Sequence, residues 1–354
     1  MKETAIESTK EAMSELTKES TMNPIVDTTT DTTTEQIREP LKEPEPVREF
    51  VTDQIIEPIE GAAEEPGLET SSGAASDDRQ AHSPDELRYI DAHIHLEQYG
   101  ERELDLIFQD IADGIPVTML LAVSMNLATC ERTRLLYCRY PGIVRPAYGF
   151  HPEQPLPSGD ELAELLRWME ETVHEAVAVG EVGLPYYMRT EAEKAGQTFN
   201  LQPYVDLLER FIAFAAGHNK PVVLHAVYED ADLVLDLLER YGIERAHFHW
   251  FKGSEKTVER MIGLGYYISI TPDISYEEEI RQLAARYPLE LMMAETDGPW
   301  PFEGSYAGRM THPLMVADVV RHIAGLKSVT VEEAAAQVYK NTCTFYRLQP
   351  HSSG

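Results

Sequence analysis

The chain has 354 residues, 43% of them apolar, enough to build one large domain or two of ordinary size. Its 61 acidic and 30 basic side chains leave a formal charge of −31, so the chain as a whole has no electrostatic attraction for nucleic acid or an anionic membrane. Three scattered cysteines, Cys130, Cys138 and Cys343, form no C-x-x-C pair, which argues against a disulfide framework and fits a reducing compartment.

Residues 1–87 are rich in Thr, Glu, Ser and Pro and hold 22 acidic against 7 basic residues, leaving 39 against 23 in the remainder. Stretches such as TTTDTTTE and EPLKEPEPVREF bury too little apolar surface to offset the entropy of ordering, so 1–87 reads as a disordered acidic tail. A solvating role is the plain reading and an interaction role the alternative, with no partner indicated. The opening MKETAIESTKEAMSELTKES has no apolar run of a signal peptide. The longest apolar stretch, Ile115 to Met125, is too short to span a bilayer and contains Pro116. These features predict a soluble, cytoplasmic protein with no membrane partner.

Beyond the tail, residues 88–354 alternate short β-type runs with longer amphipathic ones. The predicted strands are YIDAHIH, VTMLLAVS, VRPAYGF, AVAVGEVG, PVVLHAV, RAHFHWF, YYISITP and ELMMAETD. Helical spacing fills the gaps, as in DELAELLRWMEETVHEAV and YVDLLERFIAFAAGHNK. Gly114, Gly142, Gly217, Gly242 and Gly265 stand where helix C-caps are expected. Eight strands alternating with helices predict an α/β fold, a (β/α)8 TIM barrel. A doubly wound open sheet is the runner-up, but GEVGL is no phosphate-binding glycine fingerprint.

A barrel collects its functional residues at the C-terminal ends of its strands. His93 and His95 end the first predicted strand, Glu181 the fourth, His225 the fifth and His249 the sixth. Asp297 follows the eighth and His151 the third. Residues i and i+2 of a strand share a face, so His93 and His95 can grip one ion, closed by Asp297 from the neighbouring strand. His225 and His249 can grip a second, and Glu181 has two oxygens with which to span both. Sites of this type hold ions roughly 3.5–4 Å apart around a bridging water made acidic near pH ~7. Each residue alone has a plainer reading: an incidental H-x-H, a hydrogen-bonded core histidine, an Asx-turn at Asp297. Their joint placement at strand ends favours a metal site. Catalytic candidates are Asp297, Glu181 and His151.

Other residues stay open. His312 reads equally as a cap, a surface residue or a substrate contact, while His174, His218, His247 and His322 read as structural. Trp250, Phe251, Trp300 and Phe302 line the site mouth or pack the core. Lys252, Arg189 and Arg309 suit an anionic group or are solvated surface charge.

Together DAHIHLE, YGFHPE, GEVGLPYY, PVVLHA, HFHWFKGS and AETDGPW, with YKNTCTFY near the C-terminus, resemble the TatD-type metal-dependent hydrolase family from Tyr89 to Leu348. The resemblance implies a TIM barrel, two divalent metals and hydrolysis, with nuclease activity in several members. It implies that His93, His95 and Asp297 bind one metal and His225 and His249 the other. Glu181 would be shared, and His151 would stand near the substrate. Two departures stand out: Pro185 where the family usually has Asp, and Ala226-Val227 where it usually has Ser-Arg. An ion pair lost as a unit accounts for both, and it removes a phosphate-binding arginine that Lys252 can partly replace.

The first expectation is therefore a phosphodiesterase of the deoxyribonuclease type acting on single-stranded ends. The second is an amidohydrolase or lactonase acting on a small C–N or C–O substrate. A non-catalytic binding barrel is the third, against which the full ligand set speaks. Four imidazoles with two carboxylates suit zinc, with manganese, nickel or magnesium as alternatives.

Overall fold

The computed structural model describes residues 87–349. The expected disordered tail, 1–87, lies outside the described residues except for Leu87, which packs against the core. Eight strands follow one another: β1 (Tyr89–Ile94), β2 (Val117–Ala122), β3 (Val144–Tyr148), β4 (Ala178–Gly183), β5 (Val222–His225), β6 (Ala246–Phe248), β7 (Tyr267–Ile270) and β8 (Met292–Ala294). Each pairs in parallel with the next, in the order β1 to β8. The seam closes through Asp297 N–H donating to the His93 carbonyl at 2.9 Å and His95 N–H donating to the Gly298 carbonyl at 2.8 Å. This is the (β/α)8 barrel that the alternating pattern predicts, and all eight predicted strands are present.

The helices are α1 (Glu101–Ala112), α2 (Leu127–Arg139), α3 (Gly159–Thr172), α4 (Tyr186–Lys194), α5 (Gln202–Gly217), α6 (Asp230–Arg240), α7 (Glu255–Leu264), α8 (Glu278–Arg286), α9 (Val316–Lys327) and α10 (Val331–Tyr346). Local chemistry starts several of them. The Ser158 hydroxyl accepts from Glu161 N–H and the Glu161 carboxylate from Ser158 N–H, and Thr330 and Glu333 repeat the exchange at α10. Of the five glycines expected at helix ends, Gly114, Gly242 and Gly265 take positive φ there. Gly217 instead stays inside α5, leaving the left-handed position to Asn219, and Gly142 has no positive φ. No helix among the described residues is long and apolar enough to cross a membrane.

Apolar residues divide between two sides of the sheet. The larger cluster lies between strands and helices, where Val222, Leu224, Ala246 and Phe248 meet Leu208, Phe211 and Leu238. The smaller fills the barrel interior with Ile90, Ala92, Met119, Leu121, Ala178, Val223 and Met293, and α10 adds Phe345 and Tyr346. Strict alternation would carry the inward phase of Ile90 and Ala92 on to Ile94, but Ile94 packs outward. A register shift between Asp91 and Ile94 changes the phase, and another between Val179 and Val182 does the same in β4. Those irregularities leave apolar side chains in the lower interior while His93 and Glu181 reach the cluster above them.

The C-terminal helix is tied to β8 by one amide. Asn341 Nδ2 donates to the carbonyls of Leu289 and Met292, both at 2.7 Å, from a buried position. Asn341→Ala removes both donors and should lower the unfolding free energy by about 1–3 kcal/mol. Urea titration of metal-free protein checks this, and an unchanged midpoint would mean that the carbonyls need no partner.

Candidate metal centre

All seven residues expected at the site converge. His93 and His95 each place Nε2 at 3.2 Å from Glu181 Oε2. Asp297 Oδ1 stands 3.3 Å from His93 Nε2 and 3.7 Å from His95 Nε2. The other oxygen, Glu181 Oε1, faces His249 Nε2 at 2.7 Å and His225 Nδ1 at 3.1 Å. His151 Nε2 lies 3.3 Å from the same oxygen. Glu181 is fully buried, and its two oxygens divide the histidines into two sets.

The fit to metal ions rests on donor chemistry and spacing. His93 Nδ1 and Nε2, Glu181 Oε2, His225 Nε2, His249 Nδ1 and Asp297 Oδ1 are buried without a hydrogen-bond partner. Buried polar atoms are rarely left so, and their concentration in one place marks a site for a ligand or ion. Ligand atoms about 2.0–2.1 Å from a tetrahedral ion stand roughly 3.3–3.4 Å apart. The separations of His225 Nδ1 from His249 Nε2 and of His93 Nε2 from Asp297 Oδ1 are both 3.3 Å. His93, His95 and Asp297 form one group able to hold an ion, and His93, Glu181 and His249 form another.

His151 differs from the other imidazoles. Its Nδ1 accepts a hydrogen bond from Glu153 N–H at 3.1 Å, so in the neutral ring the proton belongs on Nε2. Burial lowers its pKa more than Glu181 raises it, which keeps the ring neutral. Although His151 also groups with Glu181 and His225 by distance, an Nε2–H makes it a hydrogen-bond donor facing the cluster and not a ligand.

The remaining titratable groups form one coupled cluster. Burial works against protonating His95 and His249, yet Glu97 with Glu181 raises His95 well above the ordinary imidazole value. Glu181 and Glu295 do the same for His249. In turn His249, His151 and His93 overcome burial to hold Glu181 well below the carboxylate range. Asp297 is lowered as well, against burial, by the His93 imidazole 3.3 Å away and the field of His249 and His95.

The seven expected residues do not act alone. Glu97 Oε1 lies 3.0 Å from His95 Nδ1 and so holds Nε2 toward Glu181. Glu153 stands 3.4 Å from His225 Nε2 and also accepts from the N–H groups of Tyr187 and Met188. Glu295 accepts from Trp250 N–H and from the Ser269 hydroxyl, and its Oε1 is 3.7 Å from His249 Nδ1. Asp91 accepts from Thr296 N–H and hydroxyl, and burial pushes its carboxyl up to about 8. Sequence reasoning missed all four, although each lies inside a motif already singled out. The glycines of GEVG carry a packing signal too: a Cβ on Gly183 would stand 1.9 Å from the His225 carbonyl oxygen, so β4 and β5 approach only around glycine there.

His312 Nδ1 accepts from Leu314 N–H as a cap, and His247 is buried between Tyr346 and Ser269. Phe251 and Phe302 are buried, whereas Trp300 is 56% exposed. Arg189 is held by Asp230 at 2.8 Å, Glu229 at 3.0 Å and Glu193 at 3.7 Å, so it is not free for an anion. Ala226 and Val227 are buried, and Arg189 of α4 ties the β4 loop to the start of α6 in another way.

Barrel fold and histidine–carboxylate cluster together define the class: a metal-dependent hydrolase. A model of the family described as TatD related DNase matches residues 90–347. The chain is 38% identical over 259 residues to an uncharacterised metal-dependent hydrolase of Haemophilus influenzae, covering 73% of this chain and 99% of that protein. It is 28% identical over 270 residues to the human deoxyribonuclease TATDN3, covering 74% and 96% respectively. The crystal structure of YJJV, a TatD homologue from Escherichia coli K12, superposes with a TM-score of 0.63 at 25% identity, covering 74% of this chain and 99% of that one. The chain belongs to the TatD family of metal-dependent hydrolases.

Protons and divalent ions would compete for the same lone pairs here. In metal-free protein the raised imidazoles stabilise the fold fully below their unfolded pKa of about 6.5, and that stability is lost as pH rises through the folded value. Metal binding runs the other way and strengthens as protons leave. The rise in melting temperature on adding zinc or manganese should therefore grow between about pH 5.5 and about pH 8. A shift of constant size across that range would show that these histidines are not the ligands.

Proposed function

We propose that the chain is a two-metal phosphodiesterase of the deoxyribonuclease type that acts on single-stranded ends. The observation that carries this reading is the division of Glu181, with Oε2 facing His93 and His95 and Oε1 facing His225 and His249. One ion would be held by His93, His95, Asp297 and Glu181, and the other by His225, His249 and Glu181. Ions so bound supply Lewis-acid polarisation of a phosphate ester and a nucleophilic water at neutral pH.

The protein's own groups perform the rest. Asp297 takes the proton of the attacking water at Oδ2, the oxygen not engaged with His93. His151, neutral and carrying its proton on Nε2, donates to an oxygen of the substrate. Glu97 and Glu153 hold the His95 and His225 rings at their far nitrogens, which keeps the inner nitrogens directed at Glu181. Human deoxyribonuclease TATDN3, a relative over nearly its whole length, supports the choice of ester over amide. The engagement of Arg189 with three carboxylates favours the second reading, hydrolysis of a small uncharged amide or lactone, since that arginine is not left to pair with phosphate.

Glu181→Gln and Asp297→Asn separate the roles. Glu181→Gln should lower metal content as well as rate, because both histidine sets lean on that carboxylate. Asp297→Asn should retain at least the His225–His249 ion while turnover falls by about 10²–10⁴-fold, the scale of a lost general base. Metal analysis and hydrolysis of a single-stranded oligonucleotide, an amide and a lactone are measured on both variants. Near-normal turnover by Asp297→Asn would remove the proton acceptor, and hydrolysis of the amide or lactone alone would replace the phosphodiesterase reading.

A further inference from the structure

Among the described residues, two large aromatic side chains are markedly exposed, Trp300 at 56% and Tyr187 at 46%, and each follows or faces a residue of the cluster. The Tyr187 ring stands 6.0 Å from the His225 ring, at the Oε1 end of Glu181. Trp300 lies three residues beyond Asp297, and its backbone N–H donates to the Asp297 carbonyl. The other exposed large side chains are leucines, and Leu135, the most exposed at 70%, lies on α2. Single exposed leucines need no explanation, whereas two rings flanking one site do.

Each ring is braced. Trp300 meets Trp250 edge to face at 5.7 Å, and Trp250 in turn packs on Phe302. Trp250 is itself fixed, because its Nε1–H donates to Asp273 Oδ2 at 2.6 Å. Lys252 Nζ, 5.9 Å from the centre of the Trp250 ring, is spent on an aromatic face. On the other rim Tyr187 rests on Tyr186, which packs on Tyr228. Tyr187 N–H is held by Glu153, the carboxylate beside His225. Both exposed rings are thus backed by further rings, and Arg189 is already paired with carboxylates.

We infer that Trp300 and Tyr187 form a stacking subsite for a planar ring, the nucleobase next to the scissile phosphate, so that affinity comes from the base more than from phosphate–arginine pairing. The inference rests on the phosphodiesterase reading for the identity of the ring. A base inside a duplex offers no free face, so the subsite selects unpaired ends. Stacking is short-ranged and almost indifferent to salt, unlike contacts that release counterions from phosphates.

The test measures binding of dAMP and of deoxyribose 5-phosphate to the metal-loaded full chain by calorimetry, at two salt concentrations. The intact protein should bind dAMP at least about 5-fold more tightly than the sugar phosphate, with the ratio unchanged by salt. Trp300→Ala should weaken dAMP by roughly 5- to 100-fold and leave the sugar phosphate unchanged, and Trp300→Phe should restore most of the loss. Tyr187→Ala should act in the same direction, and Leu135→Ala should do nothing. Equal affinity for the two ligands, undetectable dAMP binding, or a Trp300→Ala variant with the normal ratio would each overturn the subsite. Hydrolysis of a dinucleotide is followed in parallel. Ring-dependent binding without hydrolysis would sink the phosphodiesterase reading and leave the subsite standing, and hydrolysis with ring-independent binding would do the reverse.

Discussion

A fully buried glutamate at the centre of a barrel is the constraint on which the rest of this structure depends. An ionised carboxylate in such a place costs several kcal/mol in lost hydration unless partners surround it. Glu181 has His93 and His95 against one oxygen and His225, His249 and His151 against the other. The imidazoles are equally in need of it, for His93 has no hydrogen-bond partner on either nitrogen. Removing one member leaves the others buried and uncompensated. The members are therefore strongly interdependent, and the ends of strands β1, β3, β4, β5 and β6 must bring them together closely.

The barrel achieves that by departing from regularity where the site begins. Register shifts in β1 and β4 change which side chains face inward, and they fall next to His93 and Glu181. Gly183 lets β4 lie against the His225 carbonyl, and Gly149 lies so close to Glu181 that a Cβ there would stand 2.7 Å from its carbonyl oxygen. A regular strand would keep the phase of Ile90 and Ala92 and place the wrong residues upward. The apolar interior below gives the strands their stability, and the irregular rim above gives them their chemistry.

How much of this was legible depends on the kind of information each feature carries. Strand identity is written in local runs, so the eight strands, and the seven residues that converge at their ends, could be read from spacing and order. The phase shifts could not, because H-x-H looks the same on a regular and on a bulged strand. Glu97, Glu153 and Glu295 were visible as letters in HIHLE, YGFHPE and AETDG, but their approach to imidazole nitrogens depends on where chain segments cross. Arg189 shows the same limit most clearly. As a lone arginine near a strand end it suited an anion, yet Asp230, 41 positions further along the chain, takes its charge. The helix that carries it, α4, was not separated from the loop in the linear pattern.

Charge then links the site to its surroundings. A chain with a formal charge of −31 repels polyanions at long range but draws in divalent cations by the same field. For the proposed phosphodiesterase the field would thus pull in opposite directions: metal capture would be favoured, and approach of a long nucleic acid would not. Screening at physiological salt confines that conflict to about 8 Å. Inside that distance the imidazole and carboxylate donors and the rings of Trp300 and Tyr187 would act by contact, where net charge has little say. A short, single-stranded or end-presented substrate suffers least from the field and still meets every local group. The same acidity that argues against a duplex-binding protein is in this way compatible with a phosphodiesterase, provided recognition comes from ring faces and bound cations instead of a basic groove.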